Sequence, residues 1–265
     1  MFATDFLFNN QRASDLGLIV CTFDAEPQTA SGGEITVNSV KTPGRDRFTF
    51  YNSQMDSVLV WNFSIAKNPG CHKNLYFNQY EERAVAQWLL GQNGYRWLQF
   101  DQEGYEDIFY RVYFNMTPHQ ISGQTAGFDL TATSDCGYGF SELLTCSGTV
   151  KSSSPMRIHV QSDLSAYILP YIKINANGAF SIYNESDSMQ NLSVGKETKL
   201  NINGEITMDC DSNIITGLSA PDKFNWYFLR LVNGENIIKA DTSREGAPAS
   251  VNLTVQYREP RRVIV

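Results

Sequence analysis

The sequence offers few groups whose type and spacing could do chemistry. Cys71-His72 is one, since a thiol beside an imidazole is the pairing of cysteine nucleophiles. Adjacent residues on an extended chain point to opposite sides, so the two do not readily share a proton, and Pro69-Gly70 before them reads as an ordinary loop. Asp209 and Asp211 flank Cys210 and project to one face of a strand, a spacing that could present paired carboxylates to a sugar or a cation. No further ligand clusters near them, and a solvated strand face with the cysteine turned inwards is the reading favoured. Asp101, Glu103, Glu106 and Asp107 depart from EF-hand spacing and fit a solvated hairpin tip rather than a calcium loop.

Trp226, Tyr227 and Phe228 could stack on a sugar ring. They lie in the run from Phe224 to Leu231, which is apolar on both faces and reads as a central strand buried in a sandwich. The basic tail Arg258, Arg261 and Arg262 is broken by Glu259-Pro260 and reads as a solvated terminus or a partner contact. His72, His119 and His159 are far apart and share no motif. The sequence holds no Gly-x-Ser-x-Gly elbow, no His-Glu-x-x-His, no phosphate-binding Gly-x-x-x-x-Gly-Lys-Ser/Thr and no Gly-x-Gly-x-x-Gly after a strand. No catalytic residue, cofactor-binding residue or metal ligand is therefore assigned.

What must position these residues is a β-rich chain. Its 265 residues allow one large domain or two ordinary ones, and its 16 Phe, 13 Tyr and 4 Trp favour strands over a helical bundle. The net charge of -7 argues against gripping a nucleic-acid backbone. That charge is uneven: residues 1–147 carry 9 basic and 16 acidic residues, and residues 148–265 carry 12 of each. Five cysteines without Cys-x-x-Cys pairing suggest neither a disulfide framework nor a zinc site, and read as reduced packing residues in a cytosol. The N-terminal stretch lacks the pattern of a signal peptide, and no stretch has the apolar length of a bilayer crossing.

The small, polar run from Ser147 to Pro155 coincides with the change in charge balance and places a domain boundary there, giving domains 1–147 and 148–265. In the first, residues 35–40, 58–65, 95–100 and 108–114 read as strands. One helix is predicted over Gln79–Leu90, with Asn78 as N-cap, Glu81 three residues on and Gly91 as the stop. Its apolar face is Ala84, Val85, Trp88 and Leu89. In the second, Asn177-Gly178, Asn203-Gly204 and Asn233-Gly234 read as hairpin turns between short strands, which indicates an antiparallel sandwich.

The order of these features carries a family resemblance. Phe6-Leu7-Phe8-Asn9-Asn10 leading through Ser14 to Val20 resembles the opening of the distal tail proteins of long-tailed, non-contractile bacteriophages. Arg83 to Leu89 with Gly94 to Phe100 is similar to that family's single helix and following strand. Tyr110 to Phe114, Gly127 to Ala132 and Asp135 to Phe140 resemble its next strands and closing segment. The likeness covers residues 1 to about 145 well and the remainder more loosely. Asp135-Cys136-Gly137-Tyr138 departs from the family's usual Asp/Glu-Pro before the linker.

The resemblance implies a mainly β fold: an N-terminal β-barrel or sandwich with one α-helix, then a C-terminal galectin-like antiparallel β-sandwich. It also implies a non-enzymatic hub in the virion tail tip, made in the bacterial cytoplasm, whose N-terminal domains form a hexameric ring that lets DNA pass. The partners implied are further copies of the chain, the tail tube protein, the tail-associated protein and, on the outer domain, receptor-binding or other baseplate proteins. Neither sequence-specific nucleic-acid binding nor a membrane is expected. The acidic first half suits a negative or neutral lumen, and its many aromatics suit subunit contact. Phe6, Phe8, Trp61 and Phe63 are the expected contact residues. Two other classes remain: a carbohydrate-binding module acting through the second half, and a glycan hydrolase using Asp209 and Asp211.

Overall fold

The computed structural model describes residues 3–23, 28–55, 58–187, 198–218, 224–241, 248 and 250–263. The chain divides into two compact units, residues 1–140 with 262–265, and residues 141–261.

The first unit contains β1 (Asp5–Phe8), β2 (Gln11–Arg12), β3 (Leu18–Cys21), β4 (Thr29–Ser31), β5 (Ile35–Lys41), β6 (Phe48–Met55), β7 (Val60–Lys67), α1 (Gln79–Leu90), β8 (Arg96–Asp101), β9 (Phe109–Ile121), β10 (Gln124–Ser134) and β11 (Gly139–Phe140). Its main sheet runs β2-β1-β8-β9-β10-β7-β3, with β4 also on β7; β5 and β6 stand apart as a two-stranded ribbon. Alternation decides which side is apolar: Phe6 and Phe8, Trp61 and Phe63, Leu98 and Phe100, Tyr110, Val112 and Phe114, and Phe128 and Leu130 all turn inwards. Four strand spacings separate β1 from β7, about 19 Å in a flat sheet. Yet the Phe6 and Phe63 rings are 5.4 Å apart, so the sheet curls round its aromatic side.

α1 covers this core. Its Asn78 side chain accepts from the Tyr80 and Glu81 backbone N–H groups, and the Glu81 carboxylate accepts from the Asn78 N–H at 2.8 Å. Val85, Trp88 and Leu89 are buried, Trp88 stacks on Phe6 at 5.4 Å, and its indole N–H donates to the Phe8 carbonyl. Ala84 is exposed, since the buried stripe is narrower than the sequence pattern suggested. Buried Lys67 at the end of β7 ties the helix start to the loop before it: its ammonium donates to Glu81 and to the carbonyls of Asn74 and Tyr76, beside the Phe77 ring.

The second unit contains β12 (Leu144–Val150), β13 (Met156–Val160), β14 (Tyr171–Asn184), β15 (Thr198–Asp209), β16 (Ile214–Thr216), β17 (Gly234–Asp241), β18 (Val251–Tyr257) and β19 (Pro260–Arg261). β14 organises it. One edge pairs with β15 from Tyr171 to Ile182; the other pairs first with β18 (Tyr171–Asn175) and then with β17 (Ser181–Asn184). One long strand thus joins two antiparallel sets, β12-β18-β14 and β13-β17-β14, around Ile172, Ile174, Phe180, Ile182, Leu200, Ile202, Ile206 and Val255.

Several expectations are corrected here. The run from Ser147 is not a linker: Leu144–Val150 pairs residue for residue with Val251–Tyr257, and the division falls after Phe140 instead of at 147/148. Small polar residues suit this strand because its outward side chains are hydroxyls that bond across the ladder, as Ser147 does with Thr254 and Thr149 with Asn252. Asn177-Gly178 and Asn203-Gly204 are not turns. They lie opposite each other within β14 and β15, whose register runs through without a shift. A two-residue turn with Asn first needs positive φ at both positions; here only the glycines have it, at 120° and 106°.

The Phe224–Leu231 segment is not a central strand; only Leu231 makes a bridge, to Ile168. It is held by side chains instead. Buried Asn236 accepts from the Val232 N–H and donates to the Val232 and Gly234 carbonyls, while Asn184 donates to the Arg230 carbonyl. Asn233 is bonded through its side chain to both backbone groups of Ser162, and Gly234 starts a strand paired with β13, so the third Asn-Gly is no hairpin either.

The Asn78 N–H, and then Lys67, hold the Glu81 carboxyl below its ordinary value of 4.5. A folded value below the unfolded one gives stability that is complete above pH about 4.5 and is lost as pH falls through the folded value. Glu81→Gln is therefore expected to melt below the parent at neutral pH, with the gap closing under acid conditions. Thermal melts across pH check this; a gap that stays constant contradicts it.

Candidate assembly interface

The expected contact residues Phe6, Phe8, Trp61 and Phe63 are buried within the first unit. Phe6 lies against Phe63, Trp88 and Phe114, and Trp61 against Phe100 and Tyr110. They form the unit's own core, and their side chains have nothing to offer a neighbouring subunit. Aromatic type in the sequence does not separate a residue that faces its own sheet from one that faces a partner.

The surface that does ask for a partner is the β5–β6 ribbon. Every residue from Glu34 to Ser53 is exposed. Thr42-Pro43-Gly44-Arg45 makes the tip: the Arg45 N–H donates to the Thr42 carbonyl, and Gly44 takes φ 82°, the pattern of a type II turn with proline second and glycine third. The ladder pairs Val37 with Ser53, Asn38 with Asn52, Ser39 with Phe50 and Lys41 with Phe48, with Tyr51 the extra residue of a bulge.

This register sorts the ribbon into two unlike faces. Ile35, Val37, Phe50 and Phe48 share one with Ser39, Lys41 and Ser53, and Thr36, Asn38, Val40, Thr49 and Asn52 share the other, so the large apolar side chains fall mainly on the first. On the polar face Asn38 donates to Asn52 at 2.7 Å. On the apolar face Ile35, Val37, Phe50 and Phe48 are 43%, 56%, 61% and 65% exposed. A strand pair with one largely apolar face is what a sheet shows when that face is covered, and none of the described residues covers this one. Lys41, Arg45 and Arg47 surround Asp46 at the tip, so the ribbon is basic, whereas the rest of residues 1–147 has 6 basic and 15 acidic residues. The signal was present in the sequence: alternating Ile35 and Val37 and alternating Phe48 and Phe50 flank a Pro-Gly turn.

The groups considered for chemistry are occupied structurally. The Asp209 carboxylate accepts from the Asp211 and Ser212 N–H groups and from the Ser212 hydroxyl, closing the turn after β15. Burial pushes the Cys210 and Cys136 thiols up to about 12 and Cys21 up to about 11, away from thiolate reactivity. The Cys71 and His72 N–H groups both donate to the Asn68 carbonyl in a tight loop. Asp101, Glu103, Glu106 and Asp107 do lie at the β8–β9 connection, where Asp101 is 3.6 Å from Arg12. Trp226 is 61% exposed, with φ 55°, and packs edge-on to buried Phe224, which corrects its assignment to the core. Among the described residues no group of three His, Cys, Asp or Glu could hold a metal ion, and no helix is long and apolar enough to cross a membrane.

One constellation was missed because it joins residues far apart in sequence that meet on three neighbouring strands, β7, β10 and β9. The Ser64 hydroxyl donates to Asp129 at 2.6 Å, His119 Nδ1 lies 3.4 Å from the same carboxylate, and the His119 ring stacks on Phe23 at 4.1 Å. These side chains line a shallow groove of about 380 Å³ with Thr22, Asn62 and Thr131. A hydrolytic triad places the imidazole between hydroxyl and carboxylate; here the carboxylate is central, so no base takes the serine proton. A second groove of about 380 Å³, lined by Ser147, Thr149, Lys173, Asn175, Glu205, Asn252 and Thr254, lies on the second unit, and its hydroxyls largely bond to one another or to amides.

Phe6→Ala is expected to lower the unfolding free energy by about 4 kcal/mol, and Phe50→Ser to change it by less than about 0.5 kcal/mol. Urea denaturation of the whole chain distinguishes them; comparable losses would mean that the ribbon is packed in the isolated subunit.

Residues 1–136 match the family profile described as the phage tail protein N-terminal domain, and residues 138–255 match that described as the phage tail C-terminal domain. Among solved structures, the chain is similar to the Dit protein (gp 19.1) of phage SPP1, described as a paradigm of the hub adsorption apparatus in phages infecting Gram-positive bacteria. The match has a TM-score of 0.56 at 12% identity and covers 99% of this chain and 100% of that one, which establishes a shared fold. No curated protein matches the sequence.

Proposed function

The chain belongs to the phage tail protein family defined by those two domains, and from that premise we propose that it is the distal tail protein of a long-tailed, non-contractile phage. In this reading it is a structural hub without a catalytic step. Its first units close into a hexameric ring at the tail tip, with the tail tube protein on one side and the tail-associated protein on the other. The second, galectin-like units stand outside the ring and receive receptor-binding or other baseplate proteins. The chain is made in the host cytoplasm, where its five free cysteines stay reduced.

The observation that carries this reading is the uncovered apolar face of the β5–β6 ribbon. A ribbon that lies on a different surface of the next copy makes a heterologous contact, and such contacts close into rings when the rotation fits. Charge favours the same arrangement, since a basic ribbon meets an otherwise acidic body. It also places Lys41, Arg45 and Arg47 against carboxylates of the neighbour and leaves the bore without a cationic lining, as passage of DNA requires. The carbohydrate-binding reading rests on Trp226, and one exposed indole does not make a sugar site. The hydrolase reading loses its carboxylate to the Asp209 turn.

The test is the triple variant Val37→Ser, Phe48→Ser, Phe50→Ser. It is expected to fold as the parent does by circular dichroism, yet to be absent from tails when supplied to a phage lacking the gene. Normal incorporation of the folded variant would remove the ribbon from the assembly mechanism.

A further inference from the structure

We infer that the β5–β6 ribbon takes its paired form only on a neighbouring subunit, so that ring closure and ribbon ordering are a single step. This rests on the ring reading above and adds to it a control on when the ring forms. Three features of the ribbon carry it. Two antiparallel strands with no third strand or helix behind them are marginal in water at best, and among the described residues β5 and β6 pair only with each other. The ladder is interrupted by the bulge at Tyr51, which removes regular pairing from the middle of a short ribbon. Finally, the face that should reward pairing by burying Ile35, Val37, Phe48 and Phe50 leaves them exposed, with none of the described residues packed over them.

The contrast within the same unit is direct. β9 and β10 also extend as a long hairpin, but they sit in the middle of the main sheet, with Tyr110, Val112, Phe114, Phe128 and Leu130 buried beneath them. Their pairing is supported by the core, and the ribbon's is not. A free subunit therefore holds the ribbon mostly open, without a fixed apolar surface, and has to order it when a neighbour binds. That ordering cost weakens association between free subunits. It is met where a template already holds several copies side by side, because the second and later contacts are then intramolecular. The chain thus stays dispersed after synthesis and closes its ring on the tail.

Hydrogen exchange of the free subunit and of assembled tails tests this. Amides between Thr36 and Ser53 are expected to exchange in the free subunit within about ten-fold of the unstructured rate, and at least about a hundred-fold more slowly in tails, while β9 and β10 are protected in both. Protection of the ribbon in the free subunit equal to that of β9 would overturn the inference and leave the ring reading intact. A ribbon unprotected in assembled tails would overturn both. A second measurement uses Val40→Cys with Thr49→Cys, a directly opposed pair on the polar face. Oxidised, this pair holds the ribbon closed beforehand and is expected to form rings at about a tenth of the concentration the reduced form requires. The same threshold in both redox states would overturn the inference.

Discussion

An apolar strand face has to be covered, and the described residues of this chain leave one uncovered. The first unit satisfies that constraint everywhere else: its curled sheet closes on a cluster of aromatic rings, and α1 lies over the part of the core beside β1 through Trp88. The β5–β6 ribbon, by contrast, presents alternating apolar residues to solvent. The core has thus consumed the residues that looked suited to contact, Phe6, Phe8, Trp61 and Phe63, while Phe48 and Phe50 of the ribbon stay exposed. In the proposed reading, stability and assembly fall to separate aromatic sets, so a change in one need not disturb the other.

The second unit meets a related problem with polar groups. Its two strand sets share β14, and the segment from Phe224 to Leu231 joins neither of them. Backbone groups that miss a ladder still need partners, and Asn184 and Asn236 supply them from buried positions. The Arg230 guanidinium is bonded to buried Asp187 and lies over the Tyr167 ring, which ties down the same segment through its side chain.

Much of the fold was legible from local signals, and the failures have a common cause. The capping residues Asn78, Glu81 and Gly91 set α1 to the residue, because helix ends are specified by near neighbours. The strands read over 35–40, 58–65, 95–100 and 108–114 from β-branched and aromatic runs are found at 35–41, 60–67, 96–101 and 109–121, the last running seven residues further than its aromatic stretch. Asn177-Gly178 and Asn203-Gly204 misled because the dipeptide permits a turn without compelling one, and the long partner strand decided otherwise. Ser147 to Val150 read as a linker because a strand whose outward residues are hydroxyls has the composition of one. The interface was the hardest part to read. Periodicity locates an apolar face, but only the packed structure shows whether the chain itself covers it.

The account stands or falls on where the ribbon lies in the assembled particle. A cryo-electron microscopy map of the tail tip at side-chain resolution would show it directly. Phe48 and Phe50 are expected to be buried against the adjacent copy, in a six-fold ring with an open centre on the tube axis. A map in which both rings face solvent, or in which the copies leave no opening along the axis, would contradict it.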